Sequence, residues 1–493
     1  MDRMMSVFGG WESLFDKRTC GADGASCREG LKSAWEETIE AARNGSDASL
    51  SCGFTALLGY EYSYTPELTK VHRNVIFRSL EAPLPISSRD EPDVYALWRR
   101  LREECVEAGR GCDVLTIPHN SNLSNGQSFD LGYEAESPAA QVEAARLRAS
   151  LEPLMEMMQI KGSMECRNGM WNVLGGNDEL CNFEKFLVNF RSETGPPPDC
   201  EDGTGHGALV GRGCASRLDF MRYALIEGLR EADRIGVNPI KVGAVASTDT
   251  HDGTPGAVEE NLYDGASGRR LNDFRFSPGG LAAVWAEENS REALFDAMKR
   301  RETFATSGPR MRVRFFGGPD LPEELCEDPN RIALADAAGV PMGGELTIGD
   351  DSGSPAFLAL ALRDPGTAEQ PGGLLQRIQI IKGWADSDGL FHQSVYDIAG
   401  SSKNGASVDP KTCEPRGQGF DSLCGVWRDP DFDASRRAVY YARVLENPSC
   451  RHTARFCLNT DDGEQPAACS DPDLPKEIQE RAWTSPIWVT PAG

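Results

Sequence analysis

Between Phe54 and Thr250, short apolar runs alternate with segments of helical period. "FTALLGYEYS" (54–63), "DVLTIPHNSN" (113–122) and "IKVGAVAST" (240–248) have the length and composition of strands. "VYALWRRLREECVEAG" (94–109) repeats its apolar positions every three to four residues and stops at a glycine. "SPAAQVEAARLRASLEPLMEMM" has Ser137 in front of a helical pattern, and "SRLDFMRYALIEGLREADRIG" carries Ser216 and Asp219 as a start signal with Gly236 as a stop. This alternation predicts a mainly parallel sheet with helices outside it, an α/β fold. After about Met311 the pattern changes to "RMRVRFFGG", "PAFLALALRDP", "LLQRIQIIKGW", "AVYYARVLEN" and "SPIWVT", strand-like runs separated by Gly, Pro, Asp and Asn. The expectation is two domains, 1–315 an α/β barrel portion and 316–493 a β-rich, sandwich-like domain, with the turn-rich stretch 317–355 at the junction.

Three of the apolar runs end on a residue type that binds metals: Glu61 after "TALLGY", His119 after "VLTIP", and Asp249 with His251 after "VGAVAST". Strand ends of an α/β barrel share one face, so ligands distant in sequence can converge there. Carboxylate and imidazole together suit zinc, manganese or iron. His72 opens "HRNVIF" rather than closing a strand, and is a further candidate ligand. Three residues are candidate substrate contacts: Asn120 in the polar loop "IPHNSNLSNG", Lys161 in "MMQIKGSMEC" for an anionic group, and Arg73 beside His72. His206, His392 and His452 are read as surface or structural residues. "GTGHGALVGRG" (203–213) follows no strand and lacks both G-x-G-x-x-G spacing and a Walker lysine, so it reads as a loop and helix cap. No G-x-S-x-G elbow is present.

Charge narrows the partners. With 51 Lys+Arg against 76 Asp+Glu, the formal charge of -25 repels nucleic acid and anionic membranes, leaving a small-molecule substrate as the expected partner. No window has the roughly 18 continuous apolar residues of a spanning helix, and "MDRMMSVFGGWESLFDKRTC" is not a secretory signal. Fifteen cysteines are nevertheless many for a reduced cytosol. Cys20 with Cys27, Cys105 with Cys112, Cys413 with Cys424 and Cys450 with Cys457 are near neighbours. They read either as short disulfide loops of an extracytoplasmic protein or as scattered free thiols, and spacing alone does not fix the pairing.

Glu61, His72, His119 and Asp249-x-His251 follow the order of ligands in the PHP (polymerase and histidinol phosphatase) superfamily. "GYEYS", "HRNVIFRS", "EPLMEMMQIKGSMEC", "NPIKVGAVASTDTHDG" and "AVWAEENSREALFDAMKRRETFATSGPR" resemble the PHP-like domain-of-unknown-function family 3604 from about residue 10 onward. The β-rich tail also resembles that of carbaryl-hydrolase-like metallohydrolases. The resemblance implies a distorted (β/α) barrel followed by a sandwich, and a hydrolase using two or three divalent ions (Mn, Zn or Fe) to activate water. It implies a phosphoester substrate, with an ester or carbamate as the alternative. The superfamily's opening His-x-His and Asp-His motifs are missing here, since the first histidine is His72. An N-terminally shortened barrel is therefore expected, lacking about half of its ligands, and a catalytically inactive remnant is the contrasting expectation.

Overall fold

The computed structural model describes residue 20 and residues 24–492, except 48, 50, 110, 134–135, 187–196, 264–273, 275, 350–352, 462 and 473. It is a mixed α/β structure rich in strands, with two sheets dominating the C-terminal region.

The first sheet has three strands, β1 (Leu58–Tyr62), β2 (Arg73–Phe77) and β3 (Val114–Pro118), in that order and antiparallel throughout. Its alternate positions Leu58, Tyr62, Val75 and Phe77 enter a core shared with Trp35 of α1 (Ala25–Asn44) and with α2 (Val94–Leu101). α2 buries Val94, Leu97, Trp98 and Leu101, one helical stripe, and Asp93 caps it by accepting from the Tyr95 and Ala96 amides. α3 (Pro138–Leu151) begins behind the Ser137 cap with proline in its first turn.

The helical pattern read through residue 158 ends at Leu151, and Leu154–Glu156 forms β4, paired in parallel with β5 (Gly243–Val245). That is the one parallel strand pair formed wholly within the described residues of 54–250, so the mainly parallel sheet is not realised there. No closed barrel is present among the described residues. α4 (Met221–Ile235) is buried along most of its length and stops at Gly236, whose φ of 77° suits a residue without Cβ. The Ser216 and Asp219 capping box closes the short 3-10 turn Arg217–Asp219 just ahead of that helix.

The large sheet runs through β11 (Leu375–Ala385), β14 (Ala438–Glu446), β15 (Arg481–Thr484), β7 (Thr303–Thr306) and β6 (Leu281–Val284), with β12 (Phe391–Gly400) beside β11. The final strand β16 (Ile487–Pro491) pairs with β14 and with β9 (Glu345–Ile348). A smaller sheet, β8 (Arg312–Gly318), β10 (Ala356–Leu362) and β13 (Ser422–Arg428), faces it across a core of Val313, Phe315, Phe357, Ile380, Tyr440 and Val444. Phe357 stacks on Phe315 at 5.6 Å and meets Tyr440 at 4.4 Å, joining the two layers.

Seven disulfides are formed, and Cys52 is free. Cys20–Cys27 and Cys105–Cys112 are local loops, as their spacing allows. The other two neighbour pairings are replaced: Cys413 joins Cys450, Cys457 joins Cys469, and Cys424 joins Cys326, 98 residues away. The long link arises because Cys424 and Cys326 pack beside one cluster formed by Leu325, Phe316 and Leu358. This disulfide density points to an extracellular or secretory-pathway setting. Among the described residues no helix is long and apolar enough to cross a membrane.

Candidate metal centre

The antiparallel sheet brings three candidate ligands to one edge. β1 ends, β2 begins and β3 ends there, with Tyr62 opposite Arg73 and Arg73 opposite Pro118. The start of the middle strand is thus level with the ends of its neighbours, which is why His72 joins Glu61 and His119. The His119 amide donates to the His72 carbonyl at 3.4 Å. Glu61 lies between Tyr60 and Tyr62, and because Tyr62 faces the core, strand alternation turns Glu61 to the other side. Its Oε1 is 2.6 Å from His72 Nδ1 and 3.4 Å from His119 Nε2. His72 Nε2 meets Thr65 Oγ1 at 2.8 Å.

The parallel pair supplies the other half. Beyond β4 and β5, the Met157 amide donates to the Val245 carbonyl at 2.7 Å and the Ile160 amide to Thr248 at 3.1 Å, so the two loops leave together. Asp249 and His251 lie on the loop after β5, with Asp249 Oδ1 3.4 Å from His251 Nε2. Asp249 (φ 57°) and Asn120 (φ 65°) both occupy the left-handed backbone region, which Asp and Asn enter more readily than other residues bearing a Cβ. Donor atoms of Glu61, His72 and His119 lie within 4.8 Å of one another, and so do those of Glu61, Asp249 and His251. Glu61 therefore belongs to both groups. His119 is 2% exposed, whereas the His251 side chain is 65% exposed, so the cluster runs from a buried end to an open one.

Several groups in this cluster lack partners of their own. His119 Nδ1, Asn120 Nδ2 and Glu156 Oε2 are buried without a hydrogen bond. Leaving such atoms unmet costs about 1–3 kcal/mol each, so a ligand that satisfies them is favoured. Glu156, at the end of β4, takes a hydrogen bond from Ser247 on its other oxygen. Burial, reinforced by the charge of Asp249 and opposed by His119, pushes its carboxyl up to about 7. Burial also acts to raise Glu61, but hydrogen bonds from His119 and His72 hold its carboxyl well below the usual range. Burial lowers His72 to about 4. Asp249 is desolvated too, yet Lys161 and His119 keep its carboxyl low. Lys161 Nζ contacts Asp249 Oδ2 and lies 3.2 Å from Gln159 Oε1, and Gln159 Nε2 donates to Asn120 Oδ1 at 2.8 Å. The donor set of carboxylates and imidazoles, with the unmet Glu156 Oε2 close by, fits a divalent cation, whereas Asn120 Nδ2 is an N–H donor suited to an anionic oxygen.

The family model described as "Protein of unknown function (DUF3604)" matches residues 12–491. The chain belongs to this family. A curated relative, "Protein ERGIC-53-like" of Rattus norvegicus, is 30% identical over 161 residues, which is 30% of this chain and 27% of that protein. The chain thus spans about a quarter of that relative's length. No solved structure matches.

In this DUF3604 chain the candidate residues divide clearly. Glu61, His72, His119, Asp249 and His251 are gathered, with Lys161 and Asn120 at their margin. Arg73 is elsewhere engaged: its guanidinium is buried against Glu152 at 3.0 Å and donates to the Val71 and Ser128 carbonyls, a structural role rather than the expected substrate contact. His392 pairs with Asp386 at 2.7 Å, buried His452 faces Glu260, and His206 lies beside Gln127 and Glu67. A third grouping, Cys166, Asp178 and Cys181, offers no thiolate because its sulfurs form a disulfide. Sequence reasoning missed Glu156 and Gln159. The signal was present in "LMEMMQ", where an acid and an amide interrupt an otherwise apolar run.

Proposed function

We propose that this protein is a metal-dependent hydrolase of the PHP-like type, with a phosphoester as the preferred substrate class. The observation that carries the reading is the convergence of Glu61, His72, His119, Asp249 and His251 beside buried atoms that have no partner. Glu61, His119, Asp249 and His251, with His72, would hold divalent ions (Mn, Zn or Fe). Such ions supply electrophilic polarisation of the substrate and acidify water near neutral pH. The chain's own side chains do the rest. Lys161, now on Asp249, is within reach to meet an anionic substrate oxygen, and Asn120 Nδ2 is a free donor for a second. Glu156, whose buried Oε2 has no partner, is a candidate to take up a proton beside the centre. His251, on the exposed side, marks the direction of substrate entry.

The test couples metal content to turnover. After incubation with Mn, Zn or Fe and dialysis, the wild-type chain should retain metal, Asp249→Ala and His119→Ala should each retain much less, and 4-nitrophenyl phosphate should be cleaved faster than 4-nitrophenyl acetate. Equal retention in all three proteins would move the site elsewhere. Metal retention with acetate cleavage alone would favour the ester or carbamate reading. Retention without turnover of either would favour a binding protein, a reading supported by the Lys161 ammonium already neutralising Asp249.

A further inference from the structure

Away from the Glu61 cluster, a cavity of about 1390 Å³ opens between the edge of the large sheet and the loop 363–374. Its lining combines apolar side chains, Trp285, Phe304 and Leu374 among them, with the carboxyls of Glu260, Glu446 and Glu480. Glu446 is 4% exposed and its Oε1 has no partner, and Glu260 Oε1 is likewise buried without one. Glu480 is 5% exposed, with Ser307 donating to its Oε2. The Glu446 amide donates to the Glu480 carbonyl at 2.9 Å, which fixes the two strand ends side by side. Three lining arginines are met within the chain: Arg310 by Glu259 at 3.0 Å, Arg363 by Asp421 at 2.7 Å, and Arg416 by Asp409.

Buried carboxylates facing open volume call for a positive guest. A single small ion fits poorly, because Glu260, Glu446 and Glu480 are not among the described groups whose donor atoms converge within 4.8 Å. A larger cation with several N–H donors and an apolar body matches both the carboxyls and the apolar side chains of this lining. We propose that this cavity binds a small organic cation bearing an ammonium or guanidinium group, with Glu446 and Glu480 as its acceptors. Burial, with Asp364 nearby, pushes the Glu446 carboxyl up to about 8, and burial with the charges of Glu260 and Glu446 raises Glu480 far above its ordinary range. Both shifts are what carboxylates show when their counter-charge is absent.

Titration calorimetry of the full chain with agmatine, which carries both cationic groups, tests this directly. Saturable binding is expected, weakened at least about tenfold by Glu446→Gln, the loss of one charge-assisted hydrogen bond. Gly373→Ala keeps the carboxyl but places a methyl 2.3 Å from Glu446 Oε2, and should also weaken binding. Cooperative melting of each variant identifies those that fold, and if Glu446→Gln does not, Gly373→Ala decides. Absence of saturable binding by wild type, or unchanged affinity in the folded variant, overturns the proposal. So does saturable binding of inorganic phosphate that survives Glu446→Gln, which would assign the cavity to Arg455, whose Nε is unpaired.

Discussion

Glu165 and Glu61 are both carboxylates set among side chains that can carry positive charge, yet their surroundings are closed to different degrees. Around Glu165, Arg222 lies at 2.7 Å, Arg443 at 2.9 Å, and Tyr441 and Trp483 each donate at 2.8 Å. Asp178 completes the set by accepting from both arginines, and no buried side-chain nitrogen or oxygen of Glu165, Asp178, Arg222 or Arg443 lacks a partner. Around Glu61, three neighbouring atoms do lack one. The same chain can therefore complete a buried polar network when the network's role is to join elements, here β14, β15 and α4. The incomplete one is the place where an outside ligand lowers the free energy.

The contrast is broken most directly at its closed end. Glu165→Ala leaves Arg222 and Arg443 buried without their acceptor and should cost about 3–5 kcal/mol in urea denaturation. A loss under about 1 kcal/mol would remove the distinction. Acid sharpens the same point. Burial opposes ionisation of Glu165, but Arg443 and Arg222 hold its carboxyl far below the ordinary range. A depressed folded-state value contributes stability that is present above the unfolded value of about 4.5 and is lost as pH falls below it. Wild type should accordingly weaken in this window, and Glu165→Ala should show a smaller decline in melting temperature. At the open end the sign is reversed, since adding a ligand stabilises. Manganese or zinc at about a hundred times its dissociation constant should add about 2.7 kcal/mol to wild type. Glu61→Ala, which touches both donor groups, should lose this increment, whereas Glu165→Ala should keep it on a lower baseline. The smallest effect is expected at His392, which already has Asp386 and stacks on Trp384 at 5.1 Å. His392→Ala should leave metal content unchanged, and a drop would show that the cluster is not confined to the edge of β1–β3.

Much of the candidate site was legible because metal-type residues terminate apolar runs, a pattern that survives whatever sheet the runs form. Glu61, His119 and Asp249 carry that signal. His72 did not, since the rule assumed parallel strands and only antiparallel pairing makes a strand's first residue level with its neighbours' last ones. Glu156 was hidden by a helical pattern that continues past the true helix end at Leu151 into a buried strand, where periodicity cannot separate the two. Arg73 stands beside a candidate ligand in sequence, but position says nothing of direction, and strand alternation turns its side chain toward Glu152. Seven-residue spacing marked Cys20–Cys27 and Cys105–Cys112 but failed for Cys450 and Cys457, which pair with Cys413 and Cys469, and Cys326–Cys424 depends on tertiary proximity.

The amide of Ala244, in the strand that leads to Asp249, donates to Ser485 Oγ at 2.9 Å, and Thr303 Oγ1 meets the same hydroxyl at 2.9 Å. The layer behind the cluster thus takes a side chain from near the chain's final strand. During synthesis, Glu61 and Asp249 emerge long before Ser485 does, so the pocket's backing is completed well after the last candidate donor has been made. Cation capture at the proposed centre should consequently come late, and nascent chains stalled ahead of Ser485 should bind manganese or zinc poorly even though every candidate donor is already outside the ribosome.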